Sequence, residues 1–514
     1  MTTATAGPGT ALQGSVSFFG RSALLQRASL TVLFLLALAV RMFDLTEPPL
    51  DYQPTRQLHG ALIARALYYR WLPSADPERV ALALDSAKAE GEYEPPILES
   101  IVALTYLLTG GEQLWLARIW SVLFWLIGAG FVYGLARRIA AADGAIVAVA
   151  YFLFLPLGVT VSRSFQPDSL MVMLLTASAF SLVLWVERKS WRWAIVSGLA
   201  CGLTVLVKGR PAPIVAAMLA GLVLGQGQLR RAVLNPQLLG LAAIAIILPA
   251  TYYLGFAGAG TLSQVGEFST GVSGLLLDRS FYGRWLVFVD DLLSFGAVLL
   301  GFLGIPLIRR TGRGLLLGMW VGYLLYGLAL PYNIHTHDYY NLPLVPVVAV
   351  LLAPMATVVL GRMANVGRTW RAFVLVILAL AVAYQAWLAR SAILATDYHS
   401  EPLGWVKMGR ELPTEGSIIA LTHDYGTRIA YYGWRRVDLW PTTQDFVLHD
   451  LQGRNFSPDF EAEFEQRTRG YDYFLVTLFG EFDAQAALQE KLVGSFPLEI
   501  DGDGYLLYRL TEDT

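Results

Sequence analysis

Long apolar runs separated by short polar segments fill most of this sequence, and they restrict its possible folds more than any other feature. A helix needs about 20 mostly apolar residues to cross a bilayer. Of the 514 residues, 55% are hydrophobic and only 15% are charged, whereas soluble chains carry about 25% charged residues. The sequence therefore predicts a polytopic α-helical membrane protein with about eleven spans. We expect these spans at residues 25–43, 114–135, 145–161, 170–186, 193–207, 214–227, 238–254, 286–308, 315–330, 342–360 and 372–388.

Basic residues between the apolar runs indicate the orientation. Loops on the cytoplasmic side of a membrane carry an excess of Lys and Arg. If the N-terminus is cytoplasmic, the cytoplasmic loops hold the basic groups at residues 137–138, 188–192, 230–231, 309–313 and 362–371. The first loop, residues 44–113, is then external. Residues 97–109 are apolar but short, and we expect them to lie at the interface or re-enter the membrane, because a span there would reverse every later loop.

The two ends of the chain differ in composition from its middle. Residues 1–22 are rich in Gly, Ala, Thr and Ser and are predicted to form a disordered cytoplasmic tail. Residues 23–390 form the transmembrane domain, and residues 391–514 are polar, with no run long enough to span. Alternating patterns predict a small external α/β domain there. Its expected strands are residues 417–422, 436–440, 473–477 and 505–509, and its expected helices are 427–434, 458–469 and 484–492.

Charge and cysteine content exclude several classes of function. The net charge of −2 gives no sign of nucleic-acid binding. The single cysteine, Cys201, lies in an apolar run, which excludes an internal disulfide and a cysteine-based metal site.

The segment after the first span is unusually polar for this chain. It contains Asp51, Arg56, Gln57 and His59 within nine residues. A carboxylate beside arginines can stay ionised and act as a general base. If a helix begins near Thr55, Arg56 and His59 share one face of it. The alternative is a solvated loop with a surface salt bridge. A second candidate carboxylate, Glu94, precedes the short apolar run, where it could also simply favour a helix N-terminus.

Three basic residues on the predicted external side oppose the usual charge bias. Arg163, Lys208 and Arg210 are candidates to bind a phosphate. Snorkelling at helix ends is the alternative for each of them. Lys208 could also cap the preceding helix, and Asp168, which follows Arg163, suits the N-cap of the next helix.

A histidine pair precedes the tenth expected span. His335 and His337 are separated by one residue, which is weak support for a metal site, so we predict no metal there and favour contacts to a phosphate or leaving group.

Taken in order, these motifs resemble the GT-C glycosyltransferases that use lipid-phosphate sugars, including protein mannosyltransferases and aminoarabinose transferases. The resemblance covers roughly residues 25–390. The matching motifs are Pro48-Pro49-Leu50-Asp51, Arg65–Tyr69, Glu94-Pro95-Pro96, Gly110, Arg118, Gln166-Pro167-Asp168, Leu206–Gly209, and His337–Tyr340 before Pro343 and Pro346.

The resemblance implies a role for individual residues. Asp51 takes the position of the catalytic base, Lys208 and Arg163 contact the donor phosphate, and His337 and Tyr340 line the donor site. The remaining candidates for substrate binding are Arg56, His59, Arg210, His335 and Tyr339. Many members have two adjacent acidic residues in the first loop, but here Tyr52 follows Asp51. Glu94 therefore remains a rival base. The resemblance implies no fixed cofactor and leaves a divalent metal open, since the related oligosaccharyltransferases use one and the mannosyltransferases do not.

The predicted function is transfer of a sugar, with inversion, from a polyprenyl-phosphate donor to an acceptor hydroxyl outside a bacterial inner or plasma membrane. Nucleotide sugars are not supplied on that side, so an activated sugar must arrive on a lipid carrier. The acceptor is open, and the other partners are membrane lipids. A transporter or flippase of lipid-linked glycans is the main alternative, although neither inverted repeats nor midplane charges are seen. A non-enzymatic membrane scaffold is a third hypothesis.

Overall fold

A computed structural model of the chain describes residues 17–20, 22–91, 94–227, 234–256, 271–452 and 459–510. The predicted disordered tail lies mostly outside these residues, as does the basic pair at 230–231. The described chain is a helical bundle with a small mixed sheet at its C-terminal end. The predicted class, a polytopic α-helical membrane protein with a small α/β domain, is confirmed.

The bundle contains seventeen α-helices within its described residues. They are α1 (Ala23–Arg41), α2 (Pro54–Trp71), α3 (Pro77–Glu90), α4 (Ile97–Thr109), α5 (Trp115–Ile139), α6 (Ala142–Phe154), α7 (Pro156–Val161), α8 (Asp168–Arg188), α9 (Trp191–Val207), α10 (Ala212–Gly225), α11 (Pro236–Ala250), α12 (Arg279–Leu293), α13 (Phe295–Gly304), α14 (Arg310–Ala329), α15 (Pro331–Thr336), α16 (Leu344–Met363) and α17 (Arg368–Ile393).

Six described helices, α1, α5, α8, α16, α17 and α11 with its extension to Gly255, are long and apolar enough to cross a membrane. A seventh span is possible if α12 and α13, which meet at an 80° bend, count as one. Helices α4, α6, α9 and α10 are apolar but shorter. The count of about eleven spans therefore stays a prediction.

Burial separates the central helices from the peripheral ones. The apolar part of α16 is 72% buried, whereas that of α17 is only 6% buried. Small residues allow the central helices to approach closely: a Cβ at Gly144 of α6 would collide with the Ala353 carbonyl of α16. Because lipid tails are as apolar as Leu, such close backbone contact is a main source of helix association in a membrane. The exposed apolar face of α17 suits contact with lipid.

The first loop is mostly helical and covers one end of the bundle. Helix α2 begins with Pro54, whose fixed φ suits the first helical position. Of the two alternatives for this segment, a helix near Thr55 or a solvated loop, the structure has the helix. Ten of its side chains are buried, including Gln57 and Arg65. Helices α3 and α4 follow it, and α4 is the short apolar helix expected at residues 97–109.

The C-terminal domain is a five-stranded sheet with helices on both faces. Its strands are β1 (Ile418–Leu421), β2 (Asp438–Leu439), β3 (Tyr473–Val476), β4 (Leu498–Gly502) and β5 (Tyr505–Arg509), in the order β2-β1-β3-β5-β4. β1 pairs in parallel with β2 and β3, while β5 is antiparallel to β3 and β4. The helices are α18 (Glu401–Glu411), α19 (Thr427–Tyr432), α20 (Thr443–Leu451), α21 (Phe460–Thr468), α22 (Phe479–Ala484) and α23 (Ala486–Ser495).

All four predicted strands and all three predicted helices of this domain are present. The sequence analysis missed β4, α18, α20 and α22. β4 is an edge strand that is mostly exposed, and the sequence analysis did not assign it although Leu498 and Ile500 alternate with Glu499 and Asp501. After β1, residues His423–Gly426 form a short 3₁₀ segment in which Asp424 and Tyr425 have left-handed backbone angles.

Arg65 anchors this domain to the first loop. Its guanidinium donates to the Tyr431 carbonyl at 2.6 Å and pairs with Glu112 at 2.8 Å. It also lies 3.8 Å from the ring centroid of Tyr431 and 4.1 Å from that of Trp434. Such enclosure of an arginine by aromatic rings is a cation–π contact. Arg65 is therefore buried between two parts of the chain and does not snorkel.

Candidate active site

The N-terminal turn of α2 separates two polar clusters. Gln53, just before the helix, has a left-handed backbone with φ of 47°, which turns the chain sharply from Asp51 into α2. Arg56 and Gln57 are consecutive, so their side chains leave the helix about 100° apart. Gln57 enters a cluster around Asp51, and Arg56 enters a cluster of cations.

The Asp51 cluster holds the predicted base in a fixed orientation. Arg118 donates to Asp51 Oδ1 at 3.0 Å, and Gln57 donates to the same oxygen at 3.2 Å. Both donors are buried, with Gln57 at 0% and Arg118 at 1% exposure. The hydrogen bonds that Asp51 receives from the described residues thus end on Oδ1. The carboxylate keeps 15% side-chain exposure, which leaves Oδ2 open to an incoming group.

Gln57 connects Asp51 to the rest of the site. Its Nε2 also donates to the Tyr52 carbonyl at 2.6 Å, and its Oε1 accepts from the Phe165 amide at 2.9 Å. Every hydrogen bond that this amide group makes is to a part of the chain near Asp51. Because the Gln57 side chain is fully buried, these contacts restrict its rotation and that of the Asp51 carboxylate.

Arg163 belongs to the Asp51 side of the site. It is 1% exposed and donates through Nη2 to the Asp44 carbonyl at 2.5 Å. Lys208, the other residue predicted to contact the donor phosphate, lies in the second cluster. The structure therefore separates two residues that the sequence analysis assigned to one phosphate.

The cationic cluster consists of Arg56, Lys208 and Arg210, with Glu94 and Asp168 as counter-charges. Arg56 pairs with Glu94 at 3.1 Å. Lys208 donates to both Asp168 oxygens, at 2.8 and 3.0 Å, and both residues are buried. The interpretation of Asp168 as an N-cap is wrong, because Pro167 occupies that position and the Asp168 carboxylate bonds Lys208 instead. A charge-assisted hydrogen bond from the Lys208 ammonium is stronger than one from a backbone amide at the helix start.

Two tyrosines line the cationic cluster. Lys208 Nζ lies 5.1 Å from the ring centroid of Tyr339, and the Arg210 guanidinium lies 5.1 Å from that of Tyr340. Both tyrosines are buried. Predicted candidates from three separate segments, around residues 56, 208 and 339, thus meet in one place.

Glu94 is strongly influenced by these cations. Burial alone would raise the pKa of its carboxyl, but the charges of Arg56, Lys208 and Arg210 outweigh burial and lower the pKa. Glu94 is therefore an ionised partner of the cluster.

The loop between α15 and α16 joins the two clusters. Tyr52 donates to Asp338 Oδ1 at 2.6 Å, which links the loop that carries Asp51 to the loop that carries Tyr339. Burial raises the pKa of Asp338, and the Tyr52 hydroxyl partly offsets that effect. Next to it, burial and the positive charges of Arg210, Arg56 and Lys208 lower the pKa of His337 to about 4. The His337 imidazole is neutral at pH 7.

Two predicted residues lie outside both clusters. His59 pairs with Glu90 of α3 at 3.0 Å. His335 is buried, its Nδ1 lies 2.6 Å from the Pro331 carbonyl, and its ring packs against Phe281. Within the described residues, neither His335 nor His337 joins a group of three potential metal ligands. This agrees with the expectation of no metal at that pair, which remains untested.

Sequence reasoning grouped Gln57 with Asp51 but gave it no role, and it missed Asp338 as the link between loops. Arg118 was noted only as a shared motif. Gln57 lies one residue from Arg56, and Asp338 lies between His337 and Tyr339, so each was within a selected segment. No signal in the sequence indicates which neighbour in such a segment faces the site, because side-chain direction depends on the helix register and on packing.

The arrangement combines a cationic cluster with a carboxylate that has one oxygen without a hydrogen bond from the described residues. Cations that are already fixed in place stabilise negative charge that develops on a leaving group. A carboxylate with one free oxygen can accept a proton from a nucleophile. The N-terminal turn of α2 contributes to both, because Arg56 belongs to the cationic cluster and Gln57 bonds Asp51.

Comparisons with known proteins agree with this organisation. The family model for dolichyl-phosphate-mannose-protein mannosyltransferase matches residues 93–253. The structure of ArnT from Cupriavidus metallidurans in the apo state superposes with a TM-score of 0.55 and 14% identity, covering 94% of this chain and 98% of that one. A second ArnT structure, bound to undecaprenyl phosphate, has a TM-score of 0.56 at 14% identity and covers 93% of this chain and 97% of that one.

A third similar structure comes from an archaeon. It is the oligosaccharyltransferase AglB from Archaeoglobus fulgidus, in complex with an inhibitory peptide and a dolichol-phosphate, with a TM-score of 0.57 and 14% identity. The match covers 90% of this chain and 71% of that one. No curated protein matches by sequence. At these identities the likeness establishes the fold.

Proposed function

We propose, from the premise that this chain has the GT-C fold, that it is an inverting glycosyltransferase. It takes a sugar from a polyprenyl-phosphate donor and transfers it to an acceptor hydroxyl. The observation that carries this proposal is the convergence of Arg56, Lys208 and Arg210 beside a carboxylate, Asp51, that lies in a separate hydrogen-bonded cluster.

The cationic cluster suits the leaving group. When the bond from the anomeric carbon to the phosphate oxygen breaks, the bonding electrons leave with the polyprenyl phosphate. Arg56 and Arg210 can share the resulting negative charge, and fixed cations stabilise such charge without having to reorient. The similar structures contain undecaprenyl phosphate in ArnT and dolichol-phosphate in AglB, which supports a lipid phosphate as the donor.

Asp51 suits the acceptor side. Its Oδ2 removes the proton of the acceptor hydroxyl while the hydroxyl oxygen bonds the anomeric carbon from the face opposite the phosphate. This displacement inverts the sugar carbon. Arg118 and Gln57 hold Oδ1, so the free oxygen has one preferred direction. Glu94 is less suited to this step, because three nearby cations lower its pKa and so make the carboxylate a weaker proton acceptor.

The carrier argument supports an external site. The first loop and the C-terminal domain lie together at one end of the bundle, and the excess of basic loops at the other end favours that other end as cytoplasmic. A site on the outer face of a bacterial inner or plasma membrane depends on a lipid-linked sugar. The C-terminal domain is then external and the N-terminus cytoplasmic.

The test compares two carboxylates in the purified full-length protein in nanodiscs. Undecaprenyl-phosphate sugars are supplied with an extract of membrane glycans, and release of undecaprenyl phosphate coupled to labelled product is measured. Asp51→Asn is expected to lower transfer by about 10²–10⁴-fold, the usual contribution of a general base. Glu94→Gln is expected to lower it by about tenfold, less than the loss of a general base.

Glu415→Gln, on an exposed turn of the C-terminal domain, is the matched control and should leave transfer unchanged. Full transfer by Asp51→Asn would reject Asp51 as the base. Movement of labelled lipid across the bilayer with no covalent product, in wild type, would support the flippase alternative.

A further inference from the structure

Three potential metal ligands converge where the first loop meets the end of the last bundle helix. Asp44 and Glu47 follow α1, and His399 lies between α17 and α18. One ligand atom from each lies within 4.8 Å of the others. His399 Nδ1 is 2.7 Å from Glu47 Oε2, and His399 Nε2 is 3.5 Å from Asp44 Oδ1. The imidazole therefore has a carboxylate near each nitrogen.

Glu47 carries the argument, because its carboxylate is buried and incompletely bonded. Its side chain is only 1% exposed. Oε1 accepts from the Tyr398 amide at 2.6 Å, but buried Oε2, although 2.7 Å from His399 Nδ1, receives no well-aligned hydrogen bond from the described residues. A buried carboxylate oxygen that lacks a donor is destabilising. It faces Asp44 and His399, so the missing partner belongs at that point.

Neighbouring cations do not fill this position. Arg163 is close, yet its hydrogen bond goes to the backbone carbonyl of Asp44 and not to either carboxylate. A protonated His399 could serve as the counter-charge, but its Nδ1 is shared with the exposed carboxylate of Asp397 at 2.8 Å. Two carboxylates and one half-exposed imidazole leave a net negative site that is accessible from solvent.

We propose that Asp44, Glu47 and His399 bind a divalent transition-metal ion of the Zn²⁺ type. Imidazole nitrogen and carboxylate oxygen are ordinary ligands of Zn²⁺, bound at about 2.0–2.2 Å, and water completes the tetrahedral shell. Ligand atoms within 4.8 Å of one another can close around such an ion with small side-chain movements, since His399 is 49% exposed. The ion joins the first loop to the segment that leads into the C-terminal domain.

The site is distinct from the cationic cluster and is coupled to Asp51 through the backbone and through the charge of the Glu47 carboxylate. Pro48, the residue after Glu47, offers its carbonyl to Arg118 Nη2 at 3.3 Å, and Arg118 also bonds Asp51. Coordination of a metal by Glu47 therefore restricts the position of the segment that leads to Asp51. Metal binding itself does not rest on the proposed function; only this effect on Asp51 does.

The test measures metal directly in the full-length protein in nanodiscs. After EDTA treatment and buffer exchange, Zn²⁺ is titrated by calorimetry and counted by elemental mass spectrometry. We expect one Zn²⁺ per chain and a rise in Tm on binding. His399→Gln and Glu47→Gln should each weaken binding by at least about tenfold, the scale seen for altered metal-site partners, and should abolish the rise in Tm. Glu415→Gln, an exposed carboxylate elsewhere in the C-terminal domain, should bind like wild type.

Several results would overturn the proposal. Absence of Zn²⁺ binding would do so, and so would equal binding by wild type and His399→Gln. A loss of Tm in His399→Gln that is independent of Zn²⁺ would identify a plain ion pair and also reject the metal. If Glu47→Gln fails to fold, His399→Gln decides, because its side chain is half exposed. Zn²⁺ binding in a protein without transferase activity would reject the proposed function and leave the metal site standing.

Discussion

Asp51 and Glu94 are equally exposed carboxylates, each paired with an arginine, yet their surroundings differ. Both side chains are 15% exposed. Asp51 is held by Arg118 and the neutral amide of Gln57, both on one oxygen. Glu94 lies in the field of Arg56, Lys208 and Arg210. A base must be able to take up a proton, and three nearby cations oppose this. The comparison favours Asp51 as the base and gives Glu94 the role of organising cations.

The first prediction concerns a substitution that removes one cation from the cationic cluster and leaves the Arg56–Glu94 and Lys208–Asp168 pairs intact. Arg210→Gln removes one charge that lies over Tyr340. Loss of one stabilising donor at a developing charge lowers kcat by about 10²-fold, with a smaller change in KM. Initial rates over a range of donor concentrations measure both values. Arg368→Gln, an exposed arginine that begins α17, is the control.

The second prediction loosens the Asp51 cluster. Gln57→Leu removes the amide that joins Asp51, the Tyr52 carbonyl and the Phe165 amide. Misorientation of the base is expected to lower kcat by about tenfold, below the full contribution of a general base, and to change the pH profile of kcat/KM.

A double-mutant cycle separates this positioning role from a general loss of structure. In the Asp51→Asn background, Gln57→Leu should cause little further loss, because residues that act as a unit are not additive. Independent, fully multiplicative losses would show that Gln57 does not act through Asp51. Circular dichroism and Tm confirm that each variant is folded.

The third prediction is the smallest and concerns pH. Burial, and then the charges of Arg210, Arg56 and Lys208, lower the pKa of His337 to about 4, whereas an unfolded histidine titrates near 6.5. The unfolded chain therefore binds more protons between these values, so stability falls as the pH falls from about 6.5 to about 4. The full effect is about 3 kcal/mol.

His337→Asn removes this titration. The Tm of wild type should fall more between pH 7.5 and pH 5 than the Tm of His337→Asn, measured by differential scanning fluorimetry in the same detergent. Parallel curves for the two proteins would mean that His337 keeps an ordinary pKa and lies outside the field of the cations.

The fold could be predicted closely in some places and poorly in others. The strand at Tyr505–Arg509 was predicted correctly, because a run of β-favouring residues is a local signal. The helix near Thr55 was one of two alternatives, and the structure contains it. β4 was missed although Leu498 and Ile500 alternate with Glu499 and Asp501, so its local signal was present in the sequence. Asp168 was misassigned because an acidic residue at a helix start has a local interpretation, while its partner Lys208 is forty residues away.

The sequence by itself determined that this is a polytopic membrane protein with a small α/β domain, since hydropathy and periodicity are local properties. It also identified the segments that form the site, because charged residues are expensive in an apolar chain. Only the tertiary structure decided that Arg163 lies with Asp51, that Lys208 lies with Asp168, and that Gln57 orients the predicted base. Those pairings depend on which side chains face each other across the bundle. The partners are far apart in the sequence, so local sequence patterns do not indicate them.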